Sequence, residues 1–373
     1  MVSEENYMIF KLSDLKDVCA KILPAVDSSE NSQITDTLEL KLENNVLSLN
    51  VTNKEYFTKV ILNVNVNDNF HASVNAALFV KLISSLTSEN VSLEIVDNYL
   101  LVSGDGSYKI PLIYNGDKML SLTEITITNK TQEFNIKKDV LLSILKYNMN
   151  ELNKGVVVKP VQKLLYLDEK GCITFTTGAC VNNFNLPSPI KILLTPKIVK
   201  LFKLFKDDVV KFSLGQDDIG NGIIQTKVVF KDSMTTLSSI LPNDSNMINS
   251  VPVSAIRSRA FCEYDYVVNL NKDSILNAIK RISLFANKTD ECVVTFNFKN
   301  DQVEISDEKS NHEFIKYDSN NLTNCDYVGK LKVDDLKLTL ETCVEKYITV
   351  SFGNHQAIVI SRNNIYNVMP EAV

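Results

Sequence analysis

Four lysines, Lys197, Lys200, Lys203 and Lys206, recur at every third position of the segment Thr195–Lys206. Wound at about 100° per residue, the segment gathers Ile198, Leu201, Phe202, Leu204 and Phe205 on one broad face. Lys200, Lys203 and Lys206 fall on the opposite face, with Lys197 at its margin. Such a helix rests its apolar side on a sheet and turns ammonium groups outward. The anions that suit an evenly spaced lysine row are backbone phosphates, which are met by charge rather than by sequence.

Groups able to do covalent or metal chemistry are present but not assembled. His71, His312 and His355 are far apart, with no nucleophile or ligand partner at useful spacing. The cysteines (Cys19, Cys172, Cys180, Cys262, Cys292, Cys325 and Cys343) are odd in number and include no C-x-x-C pair, which excludes a disulfide framework and a zinc site. The run Gly104-Asp-Gly-Ser-Tyr-Lys109 lacks the spacing of a phosphate loop, and no carboxylate dyad stands out. No catalytic residue, metal or cofactor is therefore expected. The chain opens Met1-Val-Ser-Glu-Glu-Asn without a basic and then apolar leader, and no run reaches the ~18 apolar residues of a membrane span, so it reads as cytoplasmic. The net charge of −6 opposes anion binding unless the basic groups are concentrated on one wall. Their placement is thus decisive.

That placement follows a repeat with a period of roughly 125 residues, in a chain long enough for two or three cores. The first helix of each copy starts at Phe10-Lys-Leu-Ser, Phe134-Asn-Ile-Lys and Val268-Asn-Leu-Asn, with Ser13 placed to cap the first of them. A hairpin follows each: 35–53, 163–178 and 292–308. A second helix comes next, at VNAALFVKLISSL, TPKIVKLFKLF and KVDDLKLTLETC, and each runs into two closing strands. Three tandem α+β domains are expected, 1–125, 126–254 and 255–373, each with two helices packed on antiparallel sheet. The remaining helices add Lys16 and Lys21, Lys81, Lys146, Lys280 with Arg281, and Lys337 to the basic set, diluted by Asp14, Asp17, Asp334 and Asp335. One charged helix face is more often merely solvated; six in equivalent places argue for a shared anionic ligand.

The triplication, the ending Tyr366-Asn-Val-Met-Pro-Glu-Ala-Val373, the lead Gly-Lys-Leu-Lys-Val333-Asp-Asp-Leu and the strand Leu47-Ser-Leu-Asn-Val-Thr-Asn53 together resemble the β subunit of bacterial DNA polymerase III, the sliding clamp. The main departure is Thr176-Thr-Gly-Ala-Cys-Val181, where the family carries Thr-Asp-Gly-His-Arg-Leu. With the Asn-, Lys- and Ile-rich composition, it suggests a divergent member from a phage or an AT-rich bacterium.

The resemblance implies a homodimeric ring with helices around the hole and duplex DNA threaded through it, bound topologically and without regard to sequence. Its dimer interface would use Tyr108, Leu284 and Phe285. It also implies a cleft for short peptides of a polymerase and a clamp loader, at Pro160 or Val161, Thr176, Gly178, Val181, Ser250, Val251, Pro252, Asn367, Met369 and Pro370. Met369 is as well suited to packing the C-terminal strand. A structural or adaptor protein of tandem domains, such as a phage component, or a clamp-fold tether for transcription machinery, are the competing readings; the first predicts no ring and no peptide pocket.

Overall fold

The computed structural model describes residues 8–27, 32–65, 69–152, 159–242, 244–285, 292–299, 301–317, 325–353 and 357–372, so His355 lies outside the described residues. They form two compact units, Met1–Leu141 with Lys200–Pro242, and Leu142–Val199 with Asn243–Val373. The segment 126–254 read above as a middle domain is shared between the two.

Element order repeats three times as strand, helix, four strands, helix, three strands. The helices are α1 (Leu12–Ile22), α2 (Ala76–Ser85), α3 (Lys138–Leu152), α4 (Pro196–Lys200), α5 (Ser245–Asn249), α6 (Val253–Phe261), α7 (Lys272–Ile282) and α8 (Val333–Glu341). Each repeat therefore holds two more strands between its helices, and one more after them, than the predicted pattern. Ser107–Pro111 shows why: it buries only Ile110, so it lacks the alternation that marks a strand.

Local sequence explains the helices. In α1, Leu12, Leu15, Val18, Cys19 and Ile22 are all buried, as the 3.6-residue period requires. Its N-cap is Lys11 without a side-chain bond, and Ser13 instead donates to Asp14 at 3.0 Å, so the expected serine cap is not formed. Asn75 and Asn271 do cap α2 and α7, accepting from the amides of Leu78 at 2.9 Å and Ser274 at 3.1 Å.

The first unit holds a four-stranded sheet, ordered Met8–Lys11, Asn90–Val96, Tyr99–Ser103, Ser107–Pro111, and an eight-stranded one. The latter is a fusion. Strands Lys130–Lys137, Val209–Asp218, Ile224–Lys231 and Thr235–Ile240 continue into Tyr56–Asn63, Val46–Thr52, Thr37–Glu43 and Phe70–Asn75. The seam is the antiparallel pairing of Thr235–Ile240 with Tyr56–Asn63. The second unit repeats the construction: Lys191–Leu194, Leu165–Asp168, Gly171–Phe175 and Ala179–Asn183 are joined to Ile365–Pro370, Ala357–Arg362, Tyr347–Phe352 and Tyr266–Asn271. Here the seam pairs Ala179–Asn183 with Ile365–Pro370. A separate four-stranded sheet is ordered His312–Lys316, Gln302–Ser306, Val293–Phe298, Tyr327–Lys332.

One buried ion pair fixes α6 over the second eight-stranded sheet. Arg257 grips the carboxylate of Asp168 through two bonds of 2.6 and 2.7 Å, with only 16% and 6% of the side chains exposed. Asp168→Ala should lower the unfolding free energy by about 3–5 kcal/mol, because it strands a buried guanidinium. Urea titration of the full chain measures this, and a loss below about 1 kcal/mol would show that the pair is dispensable.

Candidate functional site

Helix α6 starts after Pro252 and lies across the seam strands Ala179–Asn183 and Ile365–Pro370. Val253, Ile256 and Ala260, spaced i, i+3, i+7, pack with Val181, Val359 and Val368, and Phe261 meets Tyr366 edge to face at 4.8 Å. Short of full contact, the helix leaves a cavity of about 220 Å³ lined by Phe175, Thr176, Thr177, Gly178, Ala179, Pro252, Ala255, Ile256, Arg259, Val368 and Pro370. That volume takes one or two apolar side chains rather than a whole small-molecule ligand.

The turn at its mouth is held from beneath. Gln162 donates to the Thr176 carbonyl at 3.1 Å, the Thr176 hydroxyl donates to Glu151, and the Thr176 amide bonds the Gly178 carbonyl at 2.9 Å. Gly178 is required here, since a Cβ would stand 2.8 Å from the Val368 carbonyl oxygen. A second cavity, of about 50 Å³, adjoins the first through Thr177, Gly178, Ala179, Val368 and Pro370. It is walled by Glu151, Lys332, Asp335, Thr339, Asn367, Met369 and Glu371.

Of the residues expected in a peptide cleft, Thr176, Gly178, Pro252 and Pro370 line the larger cavity, and Gly178, Asn367, Met369 and Pro370 the smaller. Val161, Val181 and Val251 lie in the core beneath and line neither, while Pro160 and Ser250 are exposed away from both. Asn367 is buried and accepts from Arg362 at 3.1 Å. Met369 is 5% exposed and belongs to the core around α7 and α8, so its truncation would cost stability as well as wall. Phe175, Ala255, Ile256 and Arg259 were not anticipated. The signal was present in the apolar spacing after Pro252, at a place read only as a domain boundary.

The lysine row is built as its spacing predicted, by a different winding. Only Pro196–Lys200 is α-helical, and Leu201–Leu204 is a 3-10 turn. Ile198, Leu201, Phe202, Leu204 and Phe205 are nonetheless buried, with Phe202 5.1 Å from Phe230, while Lys200, Lys203 and Lys206 are exposed. Lys197 is half-buried.

Elsewhere the basic set divides. Lys81 and Lys146 are exposed, the latter 4.8 Å above the Tyr147 ring. Lys16 donates to the Leu86 carbonyl at 2.6 Å, closing the C-terminus of α2. The Lys21 ammonium nitrogen is buried without a hydrogen bond, and burial pulls its pKa down against the attraction of Asp232. Lys16 and Lys21 therefore serve the fold. Lys280 stands 3.6 Å from Glu341, and Lys337 is half-buried. Arg281 is engaged by Glu313 through bonds of 2.5 and 2.6 Å.

That last pair ties the end of α7 to the strand His312–Lys316, the outer edge of its four-stranded sheet. The turn after α7 carries Leu284 (78% exposed) and Phe285 (56%), whose carbonyl accepts from Lys309, while Phe314 (55%) points to the opposite face of the strand from Glu313. Tyr108, 40% exposed, lies on Ser107–Pro111, the corresponding outer edge in the first unit. Leu284 and Phe285 in the turn after α7 and Tyr108 on an edge strand are thus surface groups and not core residues.

Among the described residues no cluster of His, Cys, Asp or Glu could hold a metal ion, and no helix is long and apolar enough to cross a membrane. No protein-family model and no curated protein matches the sequence. Solved structures do. The DNA polymerase sliding clamp of Bacillus subtilis superposes with a TM-score of 0.81 at 15% identity, over 99% of this chain and 100% of that one. The sliding clamp of Pseudomonas aeruginosa, solved with griselimycin bound, gives 0.80 at 12% identity, over 98% and 99%. The DNA polymerase III subunit beta of Borrelia burgdorferi, in complex with a natural product, gives 0.79 at 14%, over 98% and 99%. The chain has the fold of the bacterial DNA polymerase III beta subunits, the sliding-clamp fold, from one end to the other.

Proposed function

We propose that this chain is a non-enzymatic DNA sliding clamp, two copies of which close head to tail around duplex DNA and tether a polymerase and its loader through the α6 groove. One observation carries the reading. At both internal seams the last strand of one repeat pairs antiparallel with the third of the four inter-helix strands of the repeat before it, as Thr235–Ile240 does with Tyr56–Asn63 and Ile365–Pro370 with Ala179–Asn183. The first repeat's last strand, Ser107–Pro111, and the third repeat's third inter-helix strand, His312–Lys316, each have a neighbour on one side only among the described residues. A seam repeated twice within the chain therefore leaves one donor edge and one acceptor edge. Head-to-tail use of complementary edges builds a closed ring when the rotation closes, and closure removes edges that would otherwise invite aggregation. The same scheme divides the chain into three clamp domains, 1–125, 126–254 and 255–373.

Lys81, Lys146, Lys200, Lys203 and Lys206, exposed on or just after helical segments, supply the phosphate-facing charge. A topologically linked ring needs little affinity, so diffuse contacts without base-reading groups suit it. The purified protein should bind a short linear duplex only weakly, at Kd of roughly 10⁻⁴–10⁻⁶ M, with affinity falling steeply as salt rises. Changing Lys81, Lys146, Lys200 and Lys203 together to glutamate should abolish that binding while leaving the oligomer intact. Fluorescence anisotropy across a salt series measures it. Tight or sequence-dependent binding would overturn the proposal.

A further inference from the structure

Taking the α6 groove as the peptide site, on which this inference rests, we infer that the peptides it captures carry a lysine or arginine beside an apolar anchor. The two cavities share Thr177, Gly178, Ala179, Val368 and Pro370, so an extended segment that fills the larger one passes across this common rim into the smaller. Their chemistry differs. The larger is apolar, with Arg259 its one charged wall residue. Among its described lining residues the smaller carries the carboxylates of Glu151, Asp335 and Glu371 against the ammonium of Lys332, three negative charges to one positive and a balance of −2.

The Thr176 hydroxyl donates to Glu151 and the Tyr327 hydroxyl to Glu371, which orients both carboxylates. Glu151 is 5% exposed, so its field acts through little water. Apolar anchoring supplies the affinity. The acidic end selects for a cationic neighbour and disfavours an anionic one, which like charges would repel.

The test uses the full chain and fluorescein-labelled hexapeptides with a Leu-Leu-Phe core, flanked on either side by lysine, alanine or glutamate. Anisotropy should rank them lysine, alanine, glutamate, with at least a tenfold gap between the extremes on one side of the core. That gap should shrink with salt and reverse in Asp335→Lys, Glu371→Lys. Equal binding of all three that Ile256→Asp abolishes would overturn the charge preference and leave the groove standing. Tighter binding of the glutamate peptide would overturn it in favour of Arg259. Failure of every peptide to bind would overturn this inference together with the groove itself.

Discussion

Leu284→Asp is expected to convert the proposed dimer of twice 41.9 kDa into monomers that remain folded. Leu284 is 78% exposed, so aspartate there leaves the core of the unit intact. In the proposed ring it stands in the turn after α7, on the face of the edge strand that carries Glu313, toward which Tyr108 of the incoming Ser107–Pro111 would point. A head-to-tail pair has two identical interfaces, so the cost counts twice. At about 2 kcal/mol for each buried apolar anchor, the loss is about 4 kcal/mol, roughly a thousandfold in dimer dissociation constant.

The internal seams also set the register. Phe57 stands opposite Ser238 and Ala179 opposite Val368. Phe57 and Ala179 are the turn-proximal rungs of their hairpins, opposite Thr52 and Phe175, and His312, opposite Ser306, is the third. Ser238 and Val368 stand across from Val229 and Val359, which precede the last buried apolar residues before the turn, Phe230 and Ile360. The equivalent in the first repeat is Lys109, across from Leu101 and before Val102. Lys109→Cys with His312→Cys should therefore cross-link copies under oxidation into a covalent ring, while either cysteine alone should not. Sedimentation velocity and non-reducing gels read both results, and a Leu284→Asp protein still dimeric at micromolar concentration would place the interface elsewhere.

Ile256→Asp is expected to weaken capture of a leucine- and phenylalanine-bearing peptide by about 30- to 100-fold with the ring unchanged. Ile256 reaches from α6 into the 220 Å³ cavity, packed against the cluster that contains Val181 and Val368. Replacing its contact with an ionised carboxylate removes about 2–3 kcal/mol of apolar burial and sets a charge against the incoming side chain. Met369→Ala is a poorer probe, because Met369 is also core to α7 and α8. Unchanged peptide affinity in the aspartate variant would remove α6 from the site.

The sequence made some of this legible and hid the rest, for physical reasons. The lysine row was readable because Ile198, Leu201, Phe202, Leu204 and Phe205 must bury whether the segment winds as α-helix or 3-10 turn. The threefold repeat was readable because its helices keep a period of 3.6 and its inner strands alternate. Ser107–Pro111 was not, since a strand at a sheet edge buries little by itself. Lys16 and Lys21 carry the right charge on the right helix, yet their nitrogens turn to the Leu86 carbonyl and into the protein. Side-chain direction at a helix end depends on neighbours far along the chain. Thr176, Gly178, Pro252 and Pro370 do line the α6 cavity, whereas the helix that forms its other wall follows a proline at what reads in sequence as a domain boundary.

Negative-stain electron microscopy of the purified protein tests the central claim most directly. The account predicts class averages of a closed ring with a central hole, built from two copies and six similar lobes. Compact or elongated particles without a hole, at concentrations where the dimer persists, would contradict it and favour an adaptor built of the same domains.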